Sequence, residues 1–191
     1  MGFEWFRHNW MNAGFVAGLF LLALVPLIAG TWSLPLLLVY LQIPLYLLHQ
    51  LEEHAGDRFR TFVNARIAGV PDALTTNAVV VINVPLVWGV DLVALYLARF
   101  VDIGFGLIAL WLTVINAIVH VVAAGRFRGY NPGLVTAVLL FLPFGIWGIV
   151  AVSSVPGAGA GYQILGLALA ILTHIGIAVH VMRRARMLKA A

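Results

Sequence analysis

The chain has 191 residues and a formal net charge of +4; 63% of its residues are hydrophobic, only 9% are charged, and none is cysteine. Soluble globular domains are about 45–50% apolar and about 25% charged, so this composition excludes a water-soluble globule and a disordered segment. The absence of cysteine excludes a disulfide scaffold and a cysteine-ligated zinc site, and an integral membrane protein remains.

Several segments of the chain are long and apolar enough to cross a bilayer, which takes about 20 residues in a helix. The six candidates are residues 12–30, 34–53, 76–98, 102–123, 133–152 and 162–182. The first lacks a polar cleavage region and a basic flank, so we interpret it as a mature helix and not as a signal peptide. We therefore expect an all-α, polytopic bundle of about six transmembrane helices, forming a single integral membrane domain over residues 1–191.

The basic residues are distributed unevenly between the two sides of this predicted bundle. With the N-terminus in the cytoplasm, ten lysines and arginines fall on the cytoplasmic side and only Arg99 falls on the other. Cytoplasmic loops of membrane proteins are enriched in these residues, so we expect both termini to be cytoplasmic and the location to be the plasma membrane. The positive charge then faces anionic lipid, and we expect membrane lipid, and no nucleic acid, as a partner.

The second segment ends in the sequence His49-Gln50-Leu51-Glu52-Glu53, which concentrates two of the three glutamates of the chain beside a histidine. At about 100° per residue, His49, Glu52 and Glu53 share one face of a helix. Two adjacent carboxylates near the hydrocarbon need a proton, a cation or water, and a divalent metal satisfies carboxylates and imidazole together. The alternative is that both glutamates end the helix in headgroup water.

Histidines on two other segments lie at a similar depth. His49, His120 and His174 each precede a basic residue of the cytoplasmic side by six to nine residues, which is about 9–14 Å along a helix. We predict that these three histidines meet inside the bundle and, with Glu53, bind zinc or iron, while Glu52 acts as general base. A lone membrane histidine is more often a hydrogen-bonded packing residue, and this alternative stays open.

Other polar residues have predicted supporting roles around this site. Asn116 lies four residues before His120 and therefore on the same helix face, whereas Asn77 either supports the site through its amide or only marks a helix start. Asp91 lies about 21 Å from Asn77 along the third segment, so it cannot join the site and is expected near Arg99.

The fifth segment begins with a turn that suits an anion. Asn131 as N-cap and Pro132 at the first helical position are a helix-start signal, and the free N–H groups of that start can bind a phosphate headgroup. Arg126 and Arg128 precede the turn and are predicted to bind substrate. Tyr130 either donates a hydrogen bond into the site or belongs to the aromatic belt.

These residues carry a resemblance to the family of HXXEE-domain integral membrane proteins. His49, Glu52 and Glu53 match the motif that names the family. An Asn-Ala-x-x-His motif is matched by Asn116, Ala117 and His120, and a Tyr-x-Pro-Gly motif by Tyr130, Pro132 and Gly133. The resemblance implies a shared site and an enzymatic function without naming a reaction, and His174 lies outside its motifs.

Together these observations favour a metal-dependent membrane enzyme that acts on a lipid-like or small amphipathic substrate at the cytoplasmic face. Hydrolysis by a metal-bound water is slightly preferred over oxidative chemistry at two irons bridged by both glutamates. The alternative is an ion or proton-coupled transporter that uses the Glu/His cluster. A packing protein without chemistry is a third interpretation.

Overall fold

The computed structural model describes residues 2–190, apart from the side chain of Phe3. Within this range the protein is helical and contains no strand. Six of its helices are long and apolar enough to cross a membrane: α1 (Glu4–Ile28), α2 (Leu34–Ala68), α3 (Thr76–Phe100), α4 (Ile103–Phe127), α5 (Leu134–Ser153) and α6 (Ala160–Ala190). The predicted all-α fold with six helices long and apolar enough to cross a membrane is confirmed, and the orientation of its termini stays a prediction.

Besides α2, whose extension to Ala68 is described below, two helices extend further than their apolar segments predict. α1 is already helical at Gly2, well before the predicted start at residue 12, and its early residues Trp10 and Met11 are buried, with Trp10 packing on His54 and Trp88. α6 has 31 residues, which is about 46 Å of helix and exceeds the ~30 Å hydrocarbon core. Its last turns therefore extend beyond the hydrocarbon.

Two of the three buried clusters of the apolar core lie at opposite ends of the bundle. One buried cluster joins Trp10 near the start of α1, Leu74 before α3 and Val181 in α6. A second cluster joins the start of α2, the start of α4 and the end of α5 through Leu36, Leu107 and Val152. Successive helices therefore alternate in direction. Both termini and residues 55–75 share one end, which we call the basic end because all the lysines and arginines except Arg99 lie toward it.

Residues 55–75, which follow the first straight part of α2, are more ordered than their position between two apolar spans suggests. The first straight part of α2 ends at His54, and the chain turns through Gly56, whose φ is +66°. It then forms further helical turns over Arg58–Phe62 and Val63–Ala68. The side chain of Asn64 accepts from the Leu74 amide at 2.8 Å and donates to the Leu74 carbonyl at 3.0 Å, which closes this segment against α3.

A buried polar network joins α2 to α3 beside the predicted site. Gln50 donates to Asn83 at 2.9 Å and accepts from the indole N–H of Trp88 at 2.7 Å, and Asn83 donates to the Val79 carbonyl. The α3 backbone is π-helical over Ile82–Trp88. Because each of these buried amides has a partner, the network fixes how α2 and α3 face each other.

Candidate metal centre

The structure brings His49, Glu53 and His120 together inside the bundle. Their side chains are buried, with exposures of 0%, 6% and 3%. His49 Nε2 lies 3.6 Å from one carboxylate oxygen of Glu53, and His120 Nε2 lies 3.5 Å from the other. The three ligand atoms all lie within 4.8 Å of one another. We call these three residues the His–Glu–His group.

His49 is oriented through its other ring nitrogen. Its Nδ1 lies 2.8 Å from the hydroxyl oxygen of Thr136 in α5, and that hydroxyl donates its only proton to Glu52 at 2.5 Å. The hydroxyl oxygen therefore accepts from the imidazole, so Nδ1 of His49 carries the proton. The lone pair of Nε2 is left facing Glu53.

His120 is oriented in the same way by a different partner. Its Nδ1 lies 2.7 Å from the side-chain oxygen of Asn131, whose amide nitrogen donates to the His120 carbonyl at 2.9 Å. Because an amide oxygen only accepts, Nδ1 of His120 carries the proton, and its Nε2 also faces Glu53. Asn131 was predicted to cap α5, and this is wrong: its side chain binds the histidine, and α5 begins at Leu134.

Glu52 lies apart from the His–Glu–His group and binds the start of α5. One carboxylate oxygen accepts from Tyr130 at 2.9 Å and from the Val135 amide at 3.1 Å; the other accepts from the Thr136 amide at 2.8 Å and from the Thr136 hydroxyl. The carboxylate thereby occupies first-turn N–H groups that the sequence suggested for a phosphate. The role of Glu52 as general base stays a prediction.

Tyr130 donates a hydrogen bond into the site, which was one of the two sequence interpretations. Its ring is exposed, and its hydroxyl binds Glu52. Partial desolvation and then the hydrogen bond to Glu52 raise the pKa of the Tyr130 phenol. The phenol therefore keeps its proton and remains a donor to Glu52 near neutral pH.

Gly133 allows the backbone before α5 to approach both imidazoles. A Cβ at this position would lie 2.7 Å from Cε1 of His120 and 2.8 Å from Cε1 of His49, and the residue has a φ of +95°. Both features require glycine. The turn 130–133 therefore covers the histidine pair and supplies Asn131 to it.

His54 lies on the other side of Glu53. Its Nε2 is 2.9 Å from the Glu53 carboxylate, and its ring packs between Trp10 and Phe59 at centroid distances of 5.0 and 5.4 Å. His54 is itself buried at 3% exposure, so its ring lies inside the bundle beside Glu53.

The residues present suit a divalent metal. Each imidazole Nε2 lies 3.5 or 3.6 Å from a different oxygen of Glu53, and one ligand atom from each residue lies within 4.8 Å of the other two, whereas donors bound to a tetrahedral ion are about 3.4 Å apart. Small side-chain movements would therefore bring the three donors to one ion. His49 Nε2 is buried and has no hydrogen-bond partner. A metal ion would accept the lone pair of this nitrogen. Imidazoles whose second nitrogen donates to a protein acceptor are typical of metal sites.

A cavity of about 280 Å³ adjoins this group. Glu53 and His120 form part of its wall, and the remainder is mostly aliphatic or aromatic. α3, α4 and α6 contribute most of the lining, together with the helical turns at Phe59 and Phe62. The group therefore faces a mostly apolar, partly open space at the basic end of the bundle.

Some of the remaining predicted site residues line the cavity, and others do not. Asn116 and His174 line the cavity, but His174 is not part of the His–Glu–His group, and its Nδ1 donates to the Ala170 carbonyl at 2.8 Å. Its role as a metal ligand stays a prediction. Asn77 is exposed at the start of α3 and does not line the cavity, where Asn83 is found instead.

Arg126 and Arg128 are exposed at the end of α4 and do not line the cavity. Arg126 lies over the ring of Phe127, and Arg128 ends the helix with a φ of +50°. Their predicted contact with substrate stays a prediction.

Asp91 is buried at 1% exposure in α3, and neither of its carboxylate oxygens has a hydrogen-bond partner. Its expected pairing with Arg99 does not occur; the guanidinium of Arg99 lies over Phe100 instead. The two residues are eight positions apart, about 12 Å along the helix, which explains why they do not meet.

Sequence reasoning missed Thr136 as a partner of His49. A polar residue in the first turn of an apolar helix was the only available signal, and threonine is unremarkable there. Gly133 was identified only through the motif resemblance, and no sequence pattern indicated that it contacts imidazole rings.

A family model described as "Protein of unknown function with HXXEE motif" matches residues 40–148, which is more than half of the chain. The match covers the His–Glu–His group and its supporting residues Glu52, Asn131 and Thr136, whereas His174 lies outside it. Comparison with curated proteins and with solved structures gives no match.

Proposed function

The chain belongs to the HXXEE family, and we propose that it is a metal-dependent membrane enzyme whose divalent ion is bound by the His–Glu–His group. The observation that carries the proposal is the shared orientation of two buried imidazoles. In His49 and His120 the Nδ1 proton is donated to a protein oxygen, and both Nε2 atoms face the carboxylate of Glu53.

The ligand number favours catalysis over a purely structural site. Catalytic zinc sites combine three protein ligands with an open position, whereas structural sites have four. When bound, the metal supplies a Lewis acid and lowers the pKa of a coordinated water. Glu52 orients His49 through Thr136, Asn131 orients His120, and the apolar wall excludes bulk water.

Among residues 2–190, Glu53 supplies the single carboxylate of the His–Glu–His group. The number of carboxylates helps to distinguish between the possible reaction classes. Two imidazoles and one carboxylate suit either zinc in a hydrolase or ferrous iron in an oxygen-using enzyme. A di-iron site bridged by both glutamates is less well supported, because Glu52 binds the start of α5. We therefore prefer hydrolysis at one zinc ion, with oxidation at one iron ion as the second candidate.

The cavity supports an apolar substrate. Its lining is mostly aliphatic and aromatic, so a lipid-like molecule is stabilised there by burial of apolar surface. In this proposal the basic end faces the cytoplasm, and the substrate comes from that leaflet of the plasma membrane. A transporter is less well supported, since the group lies toward one end of the bundle and not near the midplane, where transporter sites are usually found.

Elemental analysis of protein purified without added metal tests the metal site. We expect about one equivalent of zinc or iron in the unaltered chain and a large loss in His49→Ala and Glu53→Ala. His180→Ala is the matched control, because His180 is exposed on α6 and its loss leaves the group intact. Full metal content in both ligand variants would contradict the proposal.

Turnover is tested in nanodiscs with a panel of long-chain esters and amides, followed by mass spectrometry of the products. We expect hydrolysis in the unaltered chain, its loss in Glu53→Ala, and its retention in His180→Ala. Oxygen-dependent hydroxylation of the substrate's hydrocarbon chain would favour the iron candidate. Ion flux in proteoliposomes that Glu53→Ala abolishes, without any turnover, would favour the transporter.

A further inference from the structure

Asn116 and His174 are two of the polar side chains in the cavity that the metal proposal does not use. The side-chain oxygen of Asn116 is buried without a hydrogen-bond partner. By contrast, the cavity residues Asn83 and Asn131 are engaged with protein partners. A buried acceptor without a partner costs free energy unless a ligand or water supplies a donor.

The packing of α4 on α6 puts these two residues at the same level. Gly104 lies against the ring of Tyr162, and the Leu107 backbone lies against Gly166, so these close contacts join residues 58 or 59 positions apart. The long Trp111 side chain also contacts Gly166 and Gln163, which are 55 and 52 positions away. Asn116 and His174 are also 58 positions apart. The two side chains are therefore level with each other on neighbouring parallel helices, in the wall of one cavity.

The hydrogen bond of His174 determines what its free nitrogen can do. Because the Ala170 carbonyl only accepts, Nδ1 of His174 carries a proton. In the neutral ring, Nε2 then has a lone pair and no proton. Asn116 Oδ1 and His174 Nε2 are thus two acceptors in one apolar cavity.

We infer that Asn116 and His174 form a binding subsite for a hydrogen-bond donor carried by an otherwise apolar, long-chain substrate. This inference rests on the proposed function and names its substrate class: a lipid-derived molecule with a hydroxyl or N–H group near the bond that reacts. The donor group of the substrate binds Asn116 and His174, and its reacting group lies toward Glu53. Its hydrocarbon chain lies along the apolar wall. His174 accordingly recognises the substrate and does not bind the metal.

The position of the cavity offers this molecule a way in from the bilayer. α6 packs mainly on α4, and α3 packs on α2 and α4, while α3 and α6 face each other across the cavity through residues such as Ile82 and Ala178. An apolar chain can therefore enter sideways between α3 and α6 without crossing the headgroup layer.

The test is a competition experiment on nanodisc-embedded protein treated with a chelator, so that the result does not depend on the metal. The bound probe is a hexadecanol with a photoreactive diazirine on its chain, and the competitors are 1-dodecanol and its methyl ether, which lacks the donor. We expect the alcohol to compete about tenfold better than the ether, because a site built to bind a donor discriminates against an analogue that lacks it. Crosslinks are expected on α3 and α6.

Variants then assign the discrimination to the two residues. In Asn116→Leu and His174→Phe the preference for alcohol over ether is expected to fall to about twofold or less. Asn77→Leu and His180→Phe are matched controls, because both residues are exposed, and they should keep the full preference. Equal competition by alcohol and ether in the unaltered chain overturns the inference even if a variant fails to fold.

Metal content separates this inference from the proposed function. His174→Phe is expected to retain the metal of the unaltered chain, whereas His49→Ala loses it. Loss of metal in folded His174→Phe would make His174 a ligand and overturn the inference while leaving the metal proposal intact. A protein that never binds metal but discriminates alcohol from ether would fail the proposed function and retain the subsite.

Discussion

The hydroxyl of Thr136 lies 2.8 Å from Nδ1 of His49, although the two residues are 87 positions apart on different helices. The same hydroxyl donates to Glu52, three residues after His49. The two outer residues of the His-x-x-Glu sequence are thus joined through a third residue on α5. This contact determines which imidazole nitrogen of His49 is free to bind a metal.

Thr136→Val should therefore weaken metal binding without removing a ligand. Loss of a residue that orients a metal-bound histidine typically lowers affinity by about 10–100-fold. Thr136→Ser keeps the hydroxyl and serves as the control, with an affinity close to that of the unaltered chain. Titration with zinc against a competing chelator measures both, and equal affinities for the valine and serine variants would argue against the role of Thr136.

Gly133→Ala should disrupt the site sterically. The added Cβ would lie within 2.8 Å of carbon atoms of both imidazoles, and the positive φ costs a non-glycine residue about 1–2 kcal/mol. We expect both a lower thermal midpoint and a reduced metal content. Gly129→Ala is the matched control, because its nearest contact is a backbone oxygen at 4.0 Å; a comparable loss in that variant would show that the effect is not specific to position 133.

The two adjacent glutamates should respond differently to the same substitution. Glu53→Gln removes the anionic member of the His–Glu–His group, so stoichiometric metal should be lost. Glu52→Gln removes an acceptor from the start of α5 and should weaken metal binding while still permitting full occupancy at high zinc concentration. Metal analysis across a zinc titration distinguishes them. A Glu52→Gln variant with full metal and no turnover would instead support the general-base role predicted from the sequence.

Asp91→Asn should leave the protein about as stable as the unaltered protein. The Asp91 carboxyl group is buried without a hydrogen-bond partner, and burial disfavours an unpaired charge so strongly that the neutral form is expected there. An amide of the same size is also neutral, so the substitution removes no favourable ion pair. We expect an unchanged thermal midpoint in detergent, with Asp102→Asn as a comparison outside the spans. A midpoint lowered by several degrees would show that the Asp91 carboxylate has a stabilising partner.

Much of the architecture was predictable because hydrophobic length is a local property. Each apolar run of about 20 residues must satisfy its own backbone hydrogen bonds in lipid, so the six segments appear as helices that largely cover the predicted ranges. The grouping of His49, Glu53 and His120 was also predictable, since their depth follows from counting residues along helices of the same hydrophobic layer. The longer limits of α1, α2 and α6 were not, because tertiary contacts, such as that of Trp10 with Trp88 and that of Asn64 with Leu74, are not visible in the sequence.

The sequence by itself determined how many helices cross the membrane and at what depth their polar residues lie, because rise per residue and apolar length are properties of each helix alone. Only the tertiary structure decided which way each helix is rotated and therefore what each side chain meets. That rotation directs Glu53 to the histidines and Glu52 to α5, brings Asn131 to His120 and not to a helix cap, and leaves His174 in the cavity wall beside Asn116. Adjacent residues on a helix differ by about 100° in direction, so contacts between helices, and not spacing along the chain, separate a candidate metal ligand from its neighbour.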